Sequence, residues 1–321
     1  MSPIRSIRSR LVSVDGRPRR SGSARGGGAQ GDGNGESGLL DAAAARWIGA
    51  LIRVSSPHPA MSHILDVIER LQDRPYRTNF LLVGEPGTGK DGLARALHQL
   101  VAPGGPLVRL DVGGFPEEAA LEALCGSARQ RGAAEEADGG TLLIEEVVGL
   151  PARVQAALLR VLKSGRCRRA GQAKDLPRRL SINAIALSDA DVERAVAEGR
   201  LRHDLFHRLA RLVLWLPPLR ARPDDIGAAA IWMGNRILSA ARVPLDLRTS
   251  EDLRNAGPDE RRRALELDPA AVEALRAHSW PGNFRELEVV LERALLLYRS
   301  GSRIGAEEIR GALAGGLPAL R

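Results

Sequence analysis

Residues 79–92 read Asn79-Phe80-Leu81-Leu82-Val83-Gly84-Glu85-Pro86-Gly87-Thr88-Gly89-Lys90-Asp91-Gly92, an apolar run that empties into a glycine-rich turn closed by a lysine. The run reads as a buried strand, and helical periodicity resumes beyond Lys90. Glycines at 84, 87 and 89 let successive backbone N–H groups turn inward on an anion, and the following helix adds the positive end of its dipole. The stretch therefore predicts a phosphate-binding loop made of Gly84, Glu85, Pro86, Gly87, Thr88, Gly89, Lys90 and Asp91, with Lys90 reaching the β- and γ-phosphates.

Composition supports the lysine. Of 47 basic residues only Lys90, Lys163 and Lys174 are lysine, so position 90 departs from the chain's strong habit of writing arginine. A compact ammonium fits between phosphate oxygens where a planar guanidinium does not. Two rival readings fail. An incidental Gly-rich hairpin would not be framed by a strand and a helix. A dinucleotide fingerprint, Gly87-x-Gly89-x-x-Gly92 with Asp111 some twenty residues on, would place its first glycine directly after the strand, where Gly84 stands, and has no use for a lysine.

The 321 residues, 44% hydrophobic and 27% charged, suffice for one α/β core and a smaller subdomain, with only 3% aromatic side chains to pack them. No apolar stretch spans a bilayer and the first residues lack a signal-peptide core, so a soluble, cytoplasmic protein with no membrane partner is expected. Cys125 and Cys167 have neither metal nor disulfide spacing and read as small buried residues. The net charge of +8 is concentrated partly in residues 1–38, rich in Arg, Gly and Ser and expected to be a disordered tail. Leu40, Ala44, Trp47, Ile48 and Leu51 then recur at helical spacing, a linker helix over 39–53.

From residue 54 to 220, strands at Phe80, Leu107, Thr141, Ser181 and Leu212 alternate with helical segments, which predicts an α/β unit with a parallel sheet covered on both faces. Beyond Pro217-Pro218 the strand signal ends, and an all-helical subdomain is expected over 221–321, with the polar stretch 243–266 as a loop or insertion. The strand Leu142-Leu143-Ile144 ends in Glu145-Glu146, the expected complement to a phosphate loop. One carboxylate would hold Mg²⁺ through water and the next would polarise the water that attacks the γ-phosphate.

The phosphate loop with Leu93-Ala94-Arg95-Ala96-Leu97-His98 resembles the Walker A motif and first helix of the AAA+ domain of bacterial enhancer-binding proteins, the activators of sigma-54 RNA polymerase. Further matches follow in the family's order: Ala137-Asp138-Gly139-Gly140-Thr141-Leu142, Leu150-Pro151 with Gln155 to Leu162, Gly199-Arg200-Leu201-Arg202-His203-Asp204-Leu205-Phe206-His207-Arg208-Leu209, Leu216-Pro217-Pro218-Leu219-Arg220, and Trp280-Pro281-Gly282-Asn283-Phe284-Arg285-Glu286-Leu287. The resemblance implies a P-loop NTPase fold with a C-terminal helical lid, ATP and Mg²⁺ as cofactors, and a homo-oligomeric ring, expected as a hexamer, or a mixed ring with related subunits. RNA polymerase or another protein machine would be the target. By the same resemblance Glu145 is the metal-holding acid and Glu146 the hydrolytic base. Arg202 and Arg208 match arginine fingers acting on a neighbour's ATP, and Arg285 matches the lid residue that senses γ-phosphate.

The departures matter as much. The family's sigma-contacting GAFTGA loop is replaced by Ser127-Ala128-Arg129-Gln130-Arg131, Walker B begins with Glu145 where Asp is usual, and Asp111 and Asp189 stand where the family has Asn. Neither a sensory domain nor a helix-turn-helix DNA-binding domain is legible. The expected function is ATP-dependent regulation of transcription, with weak hydrolysis and no direct remodelling of sigma-54. A nucleotide-gated scaffold and an AAA+ remodeller of another target are the alternatives.

Overall fold

The computed structural model describes residues 56, 58–73, 76–176, 178–299 and 301–315; the expected tail 1–38 and linker helix 39–53 lie outside them. Strands β1 (Phe80–Val83), β2 (Leu107–Leu110), β3 (Thr141–Ile144), β4 (Asn183–Ser188) and β5 (Leu212–Trp215) form one parallel sheet in the order β2-β3-β4-β1-β5. The helices of this unit are α1 (Pro59–Asp73), α2 (Lys90–Val101), α3 (Glu117–Cys125), α4 (Ala133–Glu136), α5 (Ala152–Ser164), α6 (Val192–Ala197) and α7 (His203–Leu209).

Strand periodicity sorts the core into two layers. Leu81, Val83, Leu142, Ile144, Ala184 and Ala186 pack with α3, α5, α6 and α7 through Leu124, Leu158, Ala195 and Leu205. Their sequence neighbours Phe80, Leu82, Leu143, Ile185 and Leu187 turn to the other face and meet Ile64 and Ile68 of α1 and Leu93 and Leu97 of α2. A central strand apolar on both faces reads as an unbroken run, which is why Phe80–Val83 shows no alternation in sequence. Each fully buried Leu, Ile or Phe contributes about 1.5–3 kcal/mol. Because all five strands run the same way, everything that follows a strand is delivered to one edge. The register sets Val83 beside Ser188 and Ile144 beside Ala186, bringing the segments after β1, β3 and β4 together.

The polar stretch between α3 and α4 is short and closed. Gly126 and Arg131 pair as an antiparallel bridge, and Ser127 N–H donates to Gln130 O at 2.9 Å. Gly126 has φ +78°, and a Cβ on Gly132 would lie 2.1 Å from Gly126 N, so both positions require glycine. Cys125 and Cys167 are free and buried nearby.

Beyond residue 220 the structure departs from the all-helical expectation. Helices α8 (Asp225–Ala240), α9 (Ser250–Arg254), α10 (Pro258–Arg262), α11 (Pro269–Arg276), α12 (Asn283–Arg293) and α13 (Ala306–Ala314) surround a small parallel sheet of β6 (Asp246–Thr249), β7 (Ala264–Leu267) and β8 (Arg303–Ile304). The stretch read as a loop thus contains two strands and two short helices. β6 buries Leu247 but otherwise shows Asp246, Arg248 and Thr249, too few apolar positions to announce a strand. Trp280 is fully buried at the centre of this subdomain and donates from Nε1 to Leu275 O at 2.8 Å.

Candidate functional site

The turn between β1 and α2 folds as a phosphate loop must. Gly87 and Gly89 adopt φ +77° and +101°, and a Cβ on Gly87 would stand 2.4 Å from Gly282 O of the lid. Thr88 is buried and donates from Oγ1 to Glu85 O at 2.8 Å. Lys90 is also buried. Its Nζ donates to Gly84 O at 2.6 Å and Glu85 O at 3.0 Å, and forms an ion pair with the Asp189 carboxylate. The ammonium expected to meet phosphate is thus folded back over its own loop, held by the acid at the end of β4.

The acids after β3 lie alongside. Glu146 takes φ +41°, a left-handed conformation strained for a side chain of its size, and its Oε1 accepts from Asp189 N–H at 2.9 Å. Burial, then the Asp189 charge, pushes its carboxyl above the usual carboxylate range, against the opposing pull of Lys90. Asp189 therefore holds both principal groups, Glu146 through its amide and Lys90 through its carboxylate. Glu145 is likewise pushed up, by burial first and then by Asp91 and Asp111. Arg109 Nε lies 2.9 Å from Glu145 Oε1, off the line of a hydrogen bond. That oxygen and Asp91 Oδ1 are both buried without a hydrogen-bond partner. Asp111 accepts from Gly113 N–H at 3.2 Å, and its charge is one of those raising Glu145.

Both orphaned oxygens face the Arg109 guanidinium, at 2.9 and 4.0 Å, without a hydrogen bond to it, and two acids brought together on one cation fit a hard metal ion. Among the described residues no group of three or more His, Cys, Asp or Glu side chains could hold a metal alone. An Mg²⁺ ion bound by one or two carboxylates and completed by substrate phosphates matches that donor set.

The lid is bonded to the loop by residues to which the sequence reading gave no role. Asn283, fully buried with φ +51°, donates from Nδ2 to Pro86 O at 3.0 Å and Glu85 Oε2 at 3.2 Å, and accepts from Leu219 N–H at 2.7 Å. Phe284 N–H donates to Gly87 O at 3.0 Å. Arg220 grips both oxygens of Glu85, which holds that carboxyl down at about 2. Arg222 is buried, donates to Thr88 O at 3.0 Å and stacks over the Phe284 ring at 4.7 Å; burial lowers its pKa to about 10, so it stays charged. An Asn opening a helix after Pro-Gly was the available signal, since Asn tolerates positive φ.

Arg285 follows in α12, its Cβ 3.3 Å from where a Gly87 Cβ would stand, and makes no ion pair among the described residues. Arg202 and Arg208 are placed elsewhere. Arg202 pairs with Asp204 at 2.8 Å, and Arg208 donates to Leu162 O at 2.7 and 3.1 Å. No hydrogen bond or ion pair of the described residues joins either arginine to residues 84–91.

Residues 54–214 match the model of the sigma-54 interaction domain, and residues 250–319 that of an AAA+ ATPase lid domain. The chain belongs to the sigma-54 interaction domain family. Among the family's members, the nitric oxide reductase transcription regulator NorR2 of Cupriavidus necator is 36% identical over 247 residues, 74% of this chain and 43% of the relative. The sigma-54-dependent transcriptional activator SfnR of Pseudomonas putida is 35% identical over 74% of this chain and 62% of its own length. The crystal structure of NtrX from Brucella abortus in complex with ATP superposes with a TM-score of 0.67 at 29% identity, covering 83% of this chain and 56% of that one. The chain spans about half the length of the curated relatives it matches. Fold, lid and phosphate loop are thus those of a family AAA+ P-loop NTPase, and no helix among the described residues is long and apolar enough to cross a membrane.

Proposed function

We propose that the chain binds ATP with Mg²⁺ at the carboxyl edge of the sheet and regulates transcription as a cytoplasmic ring subunit that hydrolyses ATP slowly. The observation carrying this reading is the convergence of Lys90, Glu146 and Asp189 beside a phosphate loop to which the lid is bonded. In it Lys90 binds the β- and γ-phosphates once released from Asp189, and Glu146 takes a proton from the attacking water. Glu145, with Asp91 beside it, would hold Mg²⁺, which would supply positive charge against the phosphates. Arg202 and Arg208, which bond elsewhere than to the loop of their own chain, act on a neighbour's nucleotide, and Arg285, near Gly87 at the start of α12, senses the γ-phosphate from the lid.

The ion pair of Lys90 with Asp189 favours slow turnover, since ATP must displace a carboxylate before its phosphates reach the ammonium. A nucleotide-gated regulatory subunit is the second reading, on that same observation. The five-residue turn between Gly126 and Gly132 leaves no extended loop to grip sigma-54, so the target is reached by another surface.

ATP turnover per chain measured against protein concentration tests the assignment. It should rise with assembly, because the fingers act across subunits. A rate per chain independent of concentration would overturn the trans assignment, and stimulation of open-complex formation at a sigma-54 promoter would overturn the loss of remodelling.

A further inference from the structure

The chain has six histidines, and two of them, His203 and His207, stand four residues apart on α7. That spacing sets two side chains on one face of a helix, one turn apart. Leu205 and Leu209 form the opposite, buried face, which leaves both imidazoles exposed.

The ring nitrogens converge. His203 Nε2 lies 3.1 Å from His207 Nε2, with the rings edge to face and their centroids 4.3 Å apart. Two imidazoles can share such a contact through one proton, one nitrogen donating and the other accepting. The same separation is that of two ligands on one metal ion. At metal–nitrogen distances of about 2.0–2.1 Å, neighbouring nitrogens stand roughly 2.9 Å apart at a right angle and roughly 3.3 Å apart at a tetrahedral angle. The observed 3.1 Å falls between the two, so a small turn of the rings, with α7 in place, lets an ion replace the shared proton once both rings carry theirs on Nδ1.

The neighbouring cations do not close the site. Arg202 is paired with Asp204 at 2.8 Å, and Arg208 turns its guanidinium to Leu162 O. Imidazole nitrogens select a transition metal ion such as Ni²⁺, Cu²⁺ or Zn²⁺ over Mg²⁺, which prefers oxygen donors like those at the carboxyl edge of the sheet. A structural zinc site closes with four protein ligands, whereas two leave the other positions to water, so an ion held here is exchangeable.

We propose that His203 and His207 form a two-histidine site for a divalent transition metal ion on the exposed face of α7. The site stands without the nucleotide reading and without the role given to Arg202 and Arg208, neither of which is a ligand. Titration calorimetry of the full chain with NiCl₂ tests it, at about pH 7.5, where imidazole is largely neutral, and in excess MgCl₂ to occupy the oxygen donors near Lys90. One saturable site per chain is expected. His203→Ala and His207→Ala should each weaken it about tenfold or more, and the double variant should bind within about twofold of either, because a chelate is lost with its first ligand. Both positions are exposed, and His207→Gln, which keeps a polar side chain there, should weaken binding as His207→Ala does. His63→Ala, at an exposed histidine on α1, should leave Ni²⁺ affinity unchanged. Absence of saturable binding, or full affinity in either single alanine variant, overturns the proposal. So does a fall in the number of ions bound at unchanged affinity, which would mean that the histidines bind singly.

Discussion

At the carboxyl edge of the sheet the carboxylates of Asp91, Asp111, Glu145, Glu146 and Asp189 gather on the side of Lys90; at the amino edge Arg77, Arg208 and Arg211 line a cavity with no acid in its wall. The same strands supply both edges, and strand direction alone decides which residues each receives. The acids are crowded enough to change one another, with Glu145 and Glu146 pushed up by burial and by their neighbours. The arginines cannot respond so, because a guanidinium keeps its charge. One edge therefore holds charges that its neighbours can alter, the other fixed charge.

That contrast breaks most visibly at Glu146. If the carboxyl edge carries the chemistry, Glu146→Gln should lower ATP turnover by about 10²–10⁴-fold while ATP still binds, the range expected for loss of a general base. Turnover within threefold of the unaltered chain, measured by phosphate release, would remove the edge's catalytic role. Asp189→Asn sharpens the comparison in the opposite direction. It frees the Lys90 ammonium without removing the Asp189 backbone N–H that holds Glu146, so ATP affinity should rise about tenfold, the worth of a single pairing of about 1.4 kcal/mol. Weaker ATP binding in that variant would mean that the ion pair preorganises the lysine instead of sequestering it.

Much of this was legible because period and punctuation agreed. Apolar runs closed by Gly84-Glu85-Pro86-Gly87 and by Glu145-Glu146 marked the ends of β1 and β3, and those ends are where the site lies. The lid sheet was hidden because its strands are only two to four residues long and each is interrupted by charge, Asp246 and Arg248 in β6, Glu266 in β7 and Arg303 in β8. The bonds of Asn283 to Glu85 and Pro86 cross 198 and 197 residues, and those of Lys90 to Asp189 cross 99, so no local pattern could announce them. Asp189 was visible as a departure from the family's Asn, but its contacts with Lys90 and Glu146 were not. Asp111, a departure of the same kind, accepts from Gly113 N–H.

The smallest expected effect is on pH. Glu146 can accept a proton only when ionised, and burial with the Asp189 charge raises its pKa above the ordinary carboxylate value, so it retains its proton to higher pH. Turnover should therefore climb with pH along an acid limb lying above that of an unperturbed glutamate. Removing the Asp189 charge removes one of the two main causes and leaves the larger, burial, in place. In Asp189→Asn the limb should shift toward lower pH without reaching the ordinary position, while the Glu146 hydrogen bond from the residue 189 amide and the nearby Lys90 charge continue to pull the same way. A profile of turnover against pH at saturating ATP separates this from the affinity gain, since saturation removes binding from the comparison. A limb that moves upward, or one that stays fixed while affinity rises, would mean that the titrating group lies elsewhere among the carboxylates of this edge, with Glu145 beside Asp91 and Asp111 the next to substitute.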